Sequence, residues 1–231
     1  MNGLCYIRTM ECTIKENFYK NGLWVIDNFL PLELANRINE EMTLSNSYNQ
    51  VSQDRKNHYK TFLKTDFDNF PLESDVYQAS FKKNEEIVKK NRPLFADFHF
   101  FIKEQMKDLS HNSVRFYTRP LCYKMTPGDH LRLHKDLYAG EVGYTFYANK
   151  SWCWDWGGTF NFYSPEKQEM YQILPKFNRV IFRNEKIKLF HFVSPVTKFA
   201  QIDRLSINGW ASAEDKTKEL KNKTIGEYYS D

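Results

Sequence analysis

Two residues with ligand chemistry, His134 and Asp136, close the segment Pro127-Gly128-Asp129-His130-Leu131-Arg132-Leu133-His134-Lys135-Asp136. In an extended chain, side chains two apart share a face, so this pair can offer one imidazole and one carboxylate to the same ion. Alone the pair says little, because chains of ordinary composition produce it by chance. A third donor, His191, follows 55 residues after Asp136 in the run Lys188-Leu189-Phe190-His191-Phe192-Val193-Ser194-Pro195-Val196. In so apolar a strand it is either a core histidine bonded to a carbonyl or a ligand. Two imidazoles and one carboxylate on one ion leave three positions open, which suits a non-haem Fe(II) centre that must admit O₂ and another molecule. A closed structural zinc site would want a fourth protein ligand. His130, four residues before His134, is the competing candidate.

A fourth feature is the lone arginine that opens Asp203-Arg204-Leu205-Ser206-Ile207-Asn208-Gly209-Trp210. A guanidinium entering an apolar strand needs a partner. A carboxylate held in a pocket would supply one through two parallel, charge-assisted hydrogen bonds. Pairing with Asp203 or another acid is the alternative.

Short β-rich runs separated by turn residues must position these groups. They span 114–125, 143–149, 158–163, 178–183, 189–196 and 203–210, a spacing that suggests a sandwich or jelly roll. The helical signals all come earlier. After an apolar strand within 19–30, Pro31 starts a helix whose Leu34, Ala35, Ile38 and Met42 recur at helical spacing. A second helical region covers roughly 80–110, broken near Pro93, with Leu94, Phe95, Phe98, Phe101, Ile102, Met106 and Leu109 on one stripe fit to cover a sheet. The polar stretch 45–58 reads as a surface loop. The expected class is therefore α+β, with N-terminal helices packed on one sheet of a jelly roll. One domain is expected over 1–231: a helical and β support region over about 1–112, a catalytic core over about 113–212 and a polar tail over 213–231.

Composition excludes little. Net charge is +4, from interspersed lysine and glutamate rather than a basic block, so nucleic acid is permitted and not indicated. Aromatic residues make up 16%, enough for a dense core between sheets. Cys5, Cys12, Cys122 and Cys153 form no CxxC pair, and neither a secretory signal nor a membrane span is read, so a cytoplasmic protein with reduced thiols and no membrane partner is expected.

Several motifs recur in a fixed order: Tyr123 with Pro127 to Asp136, Tyr147 to Lys150, Trp156 to Gly158, Pro175 to Arg179 before Val180 to Phe182, His191 to Val193, and Arg204 to Trp210. In this order, from about Leu121 to Trp210, the chain resembles the prolyl 4-hydroxylase-like branch of the Fe(II)/2-oxoglutarate-dependent dioxygenases. The early Val25-Ile26-Asp27-Asn28-Phe29-Leu30 before a helix is similar to that branch's amino-terminal region. The resemblance implies a double-stranded β-helix with His134, Asp136 and His191 on Fe(II), and Arg204 on the distal carboxylate of 2-oxoglutarate. Tyr147 matches the tyrosine that bonds the same carboxylate, and Tyr123 matches another pocket tyrosine. Trp210 and Ser206 would lie at the pocket floor, whereas Trp152, Trp154 and Trp156 would fill the core.

The implied reaction splits 2-oxoglutarate to succinate and CO₂ while O₂ hydroxylates a substrate C–H bond, with ascorbate as an accessory reductant. Retention of Asp136 points to hydroxylation rather than halogenation. The nucleic-acid demethylase branch places a second arginine six positions after the first, where this chain has Trp210. The implied substrate is a prolyl residue of a protein or peptide. The alternatives are a free amino acid or other small metabolite, or a jelly-roll binding module with a vestigial metal site. One departure is the stretch from Thr197 to Asp203, which is longer than tight family members have and predicts an enlarged turn before Arg204.

Overall fold

The computed structural model describes residues 18, 20–44, 49–52, 62–65, 93–118, 120–136, 140–164, 168–187 and 189–214. They include β1 Leu23–Ile26, α1 Leu32–Leu44, β2 Asn49–Ser52, β3 Phe62–Thr65, α2 Pro93–Leu109, β4 Phe116–Tyr117, β5 Leu121–Met125, β6 Leu131–His134, β7 Val142–Tyr147, β8 Phe160–Ser164, β9 Glu169–Ile173, β10 Arg179–Asn184, β11 Phe190–Val193 and β12 Arg204–Ser212, with short 3-10 turns at Trp154–Trp156 and Glu185–Ile187. No helix among the described residues is long and apolar enough to cross a membrane.

All pairing is antiparallel. The larger sheet runs β1-β10-β7-β12-β5-β3-β2 with β4 also on β12, and the smaller runs β6-β11-β8-β9. The alternation of strand side chains sorts the three central strands of the large sheet into two faces. Val142, Tyr144 and Phe146 of β7, Val180 and Phe182 of β10, and Leu205, Ile207 and Ala211 of β12 join one cluster with Ile38 and Met42 of α1 and Phe98 and Ile102 of α2. The opposite face supplies Tyr147 and Ile181 to a second cluster, where they meet Phe160, Phe162 and Val193 of the small sheet. The helices thus cover the outside of the large sheet, as expected, and its inner face looks across at the small sheet.

Local chemistry fixes how the helices arrive. Proline begins α2, where its missing N–H costs nothing. His111 and Asn112 then take φ of 52° and 60°, and the Asn112 N–H closes back on the Lys107 carbonyl at 2.7 Å. At the entry to α1, the Asn178 side chain accepts from the Leu30 N–H and donates to the Leu30 carbonyl, both at 2.8 Å.

Some expectations need correction. The segment 45–58, read as a loop, contains β2, which pairs with β3. β6 and β9 had no separate sequence signal. Trp154 is not core: it is 80% exposed, while Trp156 is buried and Trp152 packs beside it. The first part of the region read as helix, 80–92, and the tail from 215 lie outside the described residues.

On α2, burial holds the pKa of His99 down to about 3 from its ordinary 6.5, with the Lys103 ammonium adding to the effect. Between these values the unfolded chain takes up a proton that the native imidazole refuses, so stability falls as pH falls. Urea midpoints are therefore expected to drop from pH 7 to pH 4, and to drop less in His99→Phe. Equal slopes in the two proteins would remove His99 from this account.

Candidate metal centre

β6 and β11 are neighbours in the small sheet, and their register sets His134 directly opposite His191. The imidazole centroids are 4.2 Å apart. Asp136 follows two residues after His134, and its Oδ1 lies 3.4 Å from His134 Nε2 while its Oδ2 lies 3.4 Å from His191 Nε2. One ligand atom from each of the three residues falls within 4.8 Å of the others, a grouping able to hold a metal ion. No other such group occurs among the described residues. His130 is not part of it, and its Nδ1 instead approaches the Gly128 carbonyl at 3.3 Å.

The tautomers follow from the neighbours. His134 Nδ1 lies 2.6 Å from the Arg132 carbonyl and His191 Nδ1 lies 3.3 Å from the Leu189 carbonyl. A carbonyl can only accept, so both Nδ1 atoms carry hydrogen and both Nε2 atoms point a lone pair at the carboxylate. With neutral rings, acceptors facing acceptors at this range suit a cation between them. Burial pushes the His191 pKa down to about 4, so a proton is disfavoured there and the neutral, ligating imidazole prevails near neutral pH. Burial pushes the Asp136 carboxyl up, but His191, His134 and Arg183 outweigh it and hold the group well below the usual range. Two imidazoles, one carboxylate and, among the described residues, no fourth donor fit Fe(II) with open positions better than a closed zinc site.

Arg204 begins β12, whose inner face carries Arg204, Ser206, Asn208 and Trp210 in alternation. The guanidinium is 2% exposed. Its Nε donates to the Gly158 carbonyl at 2.7 Å, Nη1 to Ser206 Oγ at 3.1 Å and Nη2 to the Tyr147 hydroxyl at 3.4 Å. Each of these partners is neutral. Asp203, the acid nearest in sequence, pairs instead with Lys124 at 3.0 Å. Among the described residues no carboxylate answers this charge, and burial accordingly lowers its pKa. Gly158 makes the close approach possible: its φ is +62°, and a Cβ there would fall 2.9 Å from Arg204 Cδ.

Tyr147 faces the same interior and stacks beneath Arg204, 5.0 Å from ring centroid to guanidinium carbon. Tyr123 of β5 pairs with Ser206 in register and shares a strand face with Met125, whose sulfur lies 3.4 Å from Arg204 Nη1. It is half-buried and is not among the side chains bonded to Arg204.

Sequence reasoning missed Arg183 at this centre and placed Trp210 only at the pocket floor, without its bond to Asp136. Arg183 Nη2 donates to Asp136 Oδ2 at 2.9 Å, and Trp210 Nε1 donates to the same oxygen at 3.0 Å. The signal for Arg183 was present: it directly ends the apolar run Val180-Ile181-Phe182, as Arg204 directly opens its own.

Residues 121–212 match the family model of the 2OG-Fe(II) oxygenase superfamily. No curated protein matches the chain. Among solved structures, a prolyl hydroxylase from Trichoplax adhaerens, in complex with a peptide fragment of the hypoxia inducible factor oxygen degradation domain, is similar with a TM-score of 0.63 and 17% identity over 96% of each chain. A prolyl-4-hydroxylase from Pseudomonas putida is similar with a TM-score of 0.61 and 16% identity, over 87% of this chain and 97% of that one. A prolyl 4-hydroxylase from Phytophthora capsici follows with a TM-score of 0.60 and 19% identity, over 87% of this chain and 61% of that one. The fold is the jelly-roll double-stranded β-helix of these prolyl hydroxylases, and the core segment 121–212 carries the 2OG-Fe(II) oxygenase pattern.

Proposed function

We propose that this protein is an Fe(II)- and 2-oxoglutarate-dependent hydroxylase acting on a prolyl residue of a protein or peptide, with release of succinate and CO₂. The observation that carries the reading is Arg204: a buried guanidinium whose partners are all neutral, on the inner face of the strand that also sends Trp210 to the His134, Asp136 and His191 cluster. A buried, fixed cation and a metal site served by the same strand face match a dicarboxylate co-substrate.

In this reading His134, Asp136 and His191 hold Fe(II), which when bound supplies the activation of O₂ that amino-acid side chains lack. Arg204, Tyr147 and Ser206 grip the distal carboxylate, and the bidentate fork of the arginine fixes its direction. Tyr123 lines the same pocket. Phe160 and Phe162, which pack near His191, keep water from the centre. The prolyl assignment rests on the solved neighbours with that activity.

Two measurements test it. The iron-loaded protein with 2-oxoglutarate, ascorbate and O₂ is expected to release succinate slowly even without substrate, and to add 16 daltons to proline-containing peptides, read by mass spectrometry. Addition to a free amino acid or other metabolite would replace the substrate assignment and keep the chemistry. Absence of succinate under every condition would favour a binding module with a vestigial site.

A further inference from the structure

We infer that Arg183 and Trp210 are positioning residues that occupy one oxygen of Asp136, Oδ2, and leave Oδ1 as the oxygen free to bind a metal ion. This rests on the metal site proposed above. A free carboxylate can chelate an ion through both oxygens, and doing so would occupy a position needed for co-substrate or O₂. Here Oδ2 already accepts two N–H bonds, from Arg183 Nη2 at 2.9 Å and Trp210 Nε1 at 3.0 Å. Oδ2 also faces His191 Nε2 at 3.4 Å, as Oδ1 faces His134 Nε2, but its lone pairs are committed to these two shorter N–H bonds. Oδ1 receives neither bond.

The arrangement that delivers these two donors is built into three adjacent strands. Arg183 of β10, Gly143 of β7 and Trp210 of β12 form one cross-strand row. Glycine as the row's middle member leaves both side chains where they are. A Cβ at position 143 would fall 2.1 Å from Glu185 Oε1 and 2.5 Å from Arg183 Nη2. The two large side chains therefore converge on Asp136 over an empty position. Arg183 is also aimed from behind: Nε donates to Glu185 Oε1 at 2.8 Å and Nη1 to Thr145 Oγ1 at 3.0 Å, so the fork can present Nη2 in one direction only. Stability alone is a weak explanation of such a buried pair, since a well-packed apolar replacement is often as stable or more so.

The test uses the purified full chain with Mn(II), a redox-inert stand-in for Fe(II) whose bound waters are counted by pulsed EPR in labelled water. Trp210→Phe removes one N–H and keeps the ring. Arg183→Met removes the other donor at similar length. Each is expected to weaken Mn(II) binding roughly 10–100-fold, as loss of an outer-sphere partner does, and to lose a bound water as Oδ2 joins the ion. Arg183→Lys, which keeps a donor, should recover part of both effects. Should Arg183→Met fail to fold, Trp210→Phe carries the same readouts. Unchanged affinity and water count in the variants would overturn this inference and leave the metal site standing. A wild-type chain that binds neither Mn(II) nor Fe(II) would overturn the proposed function along with it.

Discussion

Replacing Arg204 by alanine is expected to weaken 2-oxoglutarate binding on the order of 10²–10³-fold, since a buried charge that loses its partner costs about 3–5 kcal/mol and each 1.4 kcal/mol is tenfold in affinity. Iron binding should survive, because no side-chain bond of Arg204 reaches His134, Asp136 or His191. Arg204→Lys should recover part of the loss: an ammonium keeps the charge but not the planar fork. Anaerobic titration of the Fe(II) protein with 2-oxoglutarate, followed through its metal-to-ligand absorption band, reads this without any prime substrate. Unchanged affinity in the alanine variant would place the anchor elsewhere. Arg132 would be the first replacement to examine, because Arg179 is already committed to Asp27 through Nε at 2.6 Å and Nη2 at 3.0 Å.

The largest losses are expected at the cluster itself. His134→Ala, Asp136→Ala and His191→Ala should each abolish hydroxylation and weaken Fe(II) binding, because each removes one of three protein ligands. Their effects on the fold should differ. Removing Asp136 leaves Arg183 Nη2 and Trp210 Nε1 without their acceptor in a buried setting, so Asp136→Ala should lower the melting temperature of the metal-free protein more than either histidine variant. Turnover near wild type in any one variant would remove that residue from the cluster, and His130 would be tested next.

Much of this site was legible because strand alternation is a rule of period two. His134 and Asp136 could be placed on one face from spacing alone, and Arg204, Ser206 and Trp210 share the inner face of β12 for the same reason. Motif order then linked segments that spacing could not. Sequence did not disclose which strands would be neighbours. The contact of Arg183 with Asp136 joins residues from opposite sheets and depends on the packing of β10 across from β6. β9 escaped notice because most of its residues are exposed, so no apolar alternation marks it. β2 was hidden inside a polar segment, where pairing with β3 rather than burial reveals the strand. Trp154 shows the converse error, since an aromatic side chain counts toward a core only if the chain turns inward, and here a short 3-10 turn over Trp154–Trp156 presents it to solvent.

The direct pairing of His134 with His191 has a consequence in time. The two are 57 residues apart in sequence, and β7, β8, β9 and β10 all lie between them. Closing a loop of that length costs entropy before any contact repays it, and folds dominated by such pairings form on scales of milliseconds to seconds. A nascent chain that has emerged only as far as Asp136 holds two potential donors on a free edge, which is too few to retain an ion. The centre exists only after the small sheet has closed. Under the proposed function, ion capture would therefore follow closure of the small sheet rather than trigger folding, the reverse of small zinc modules whose structure waits on the metal.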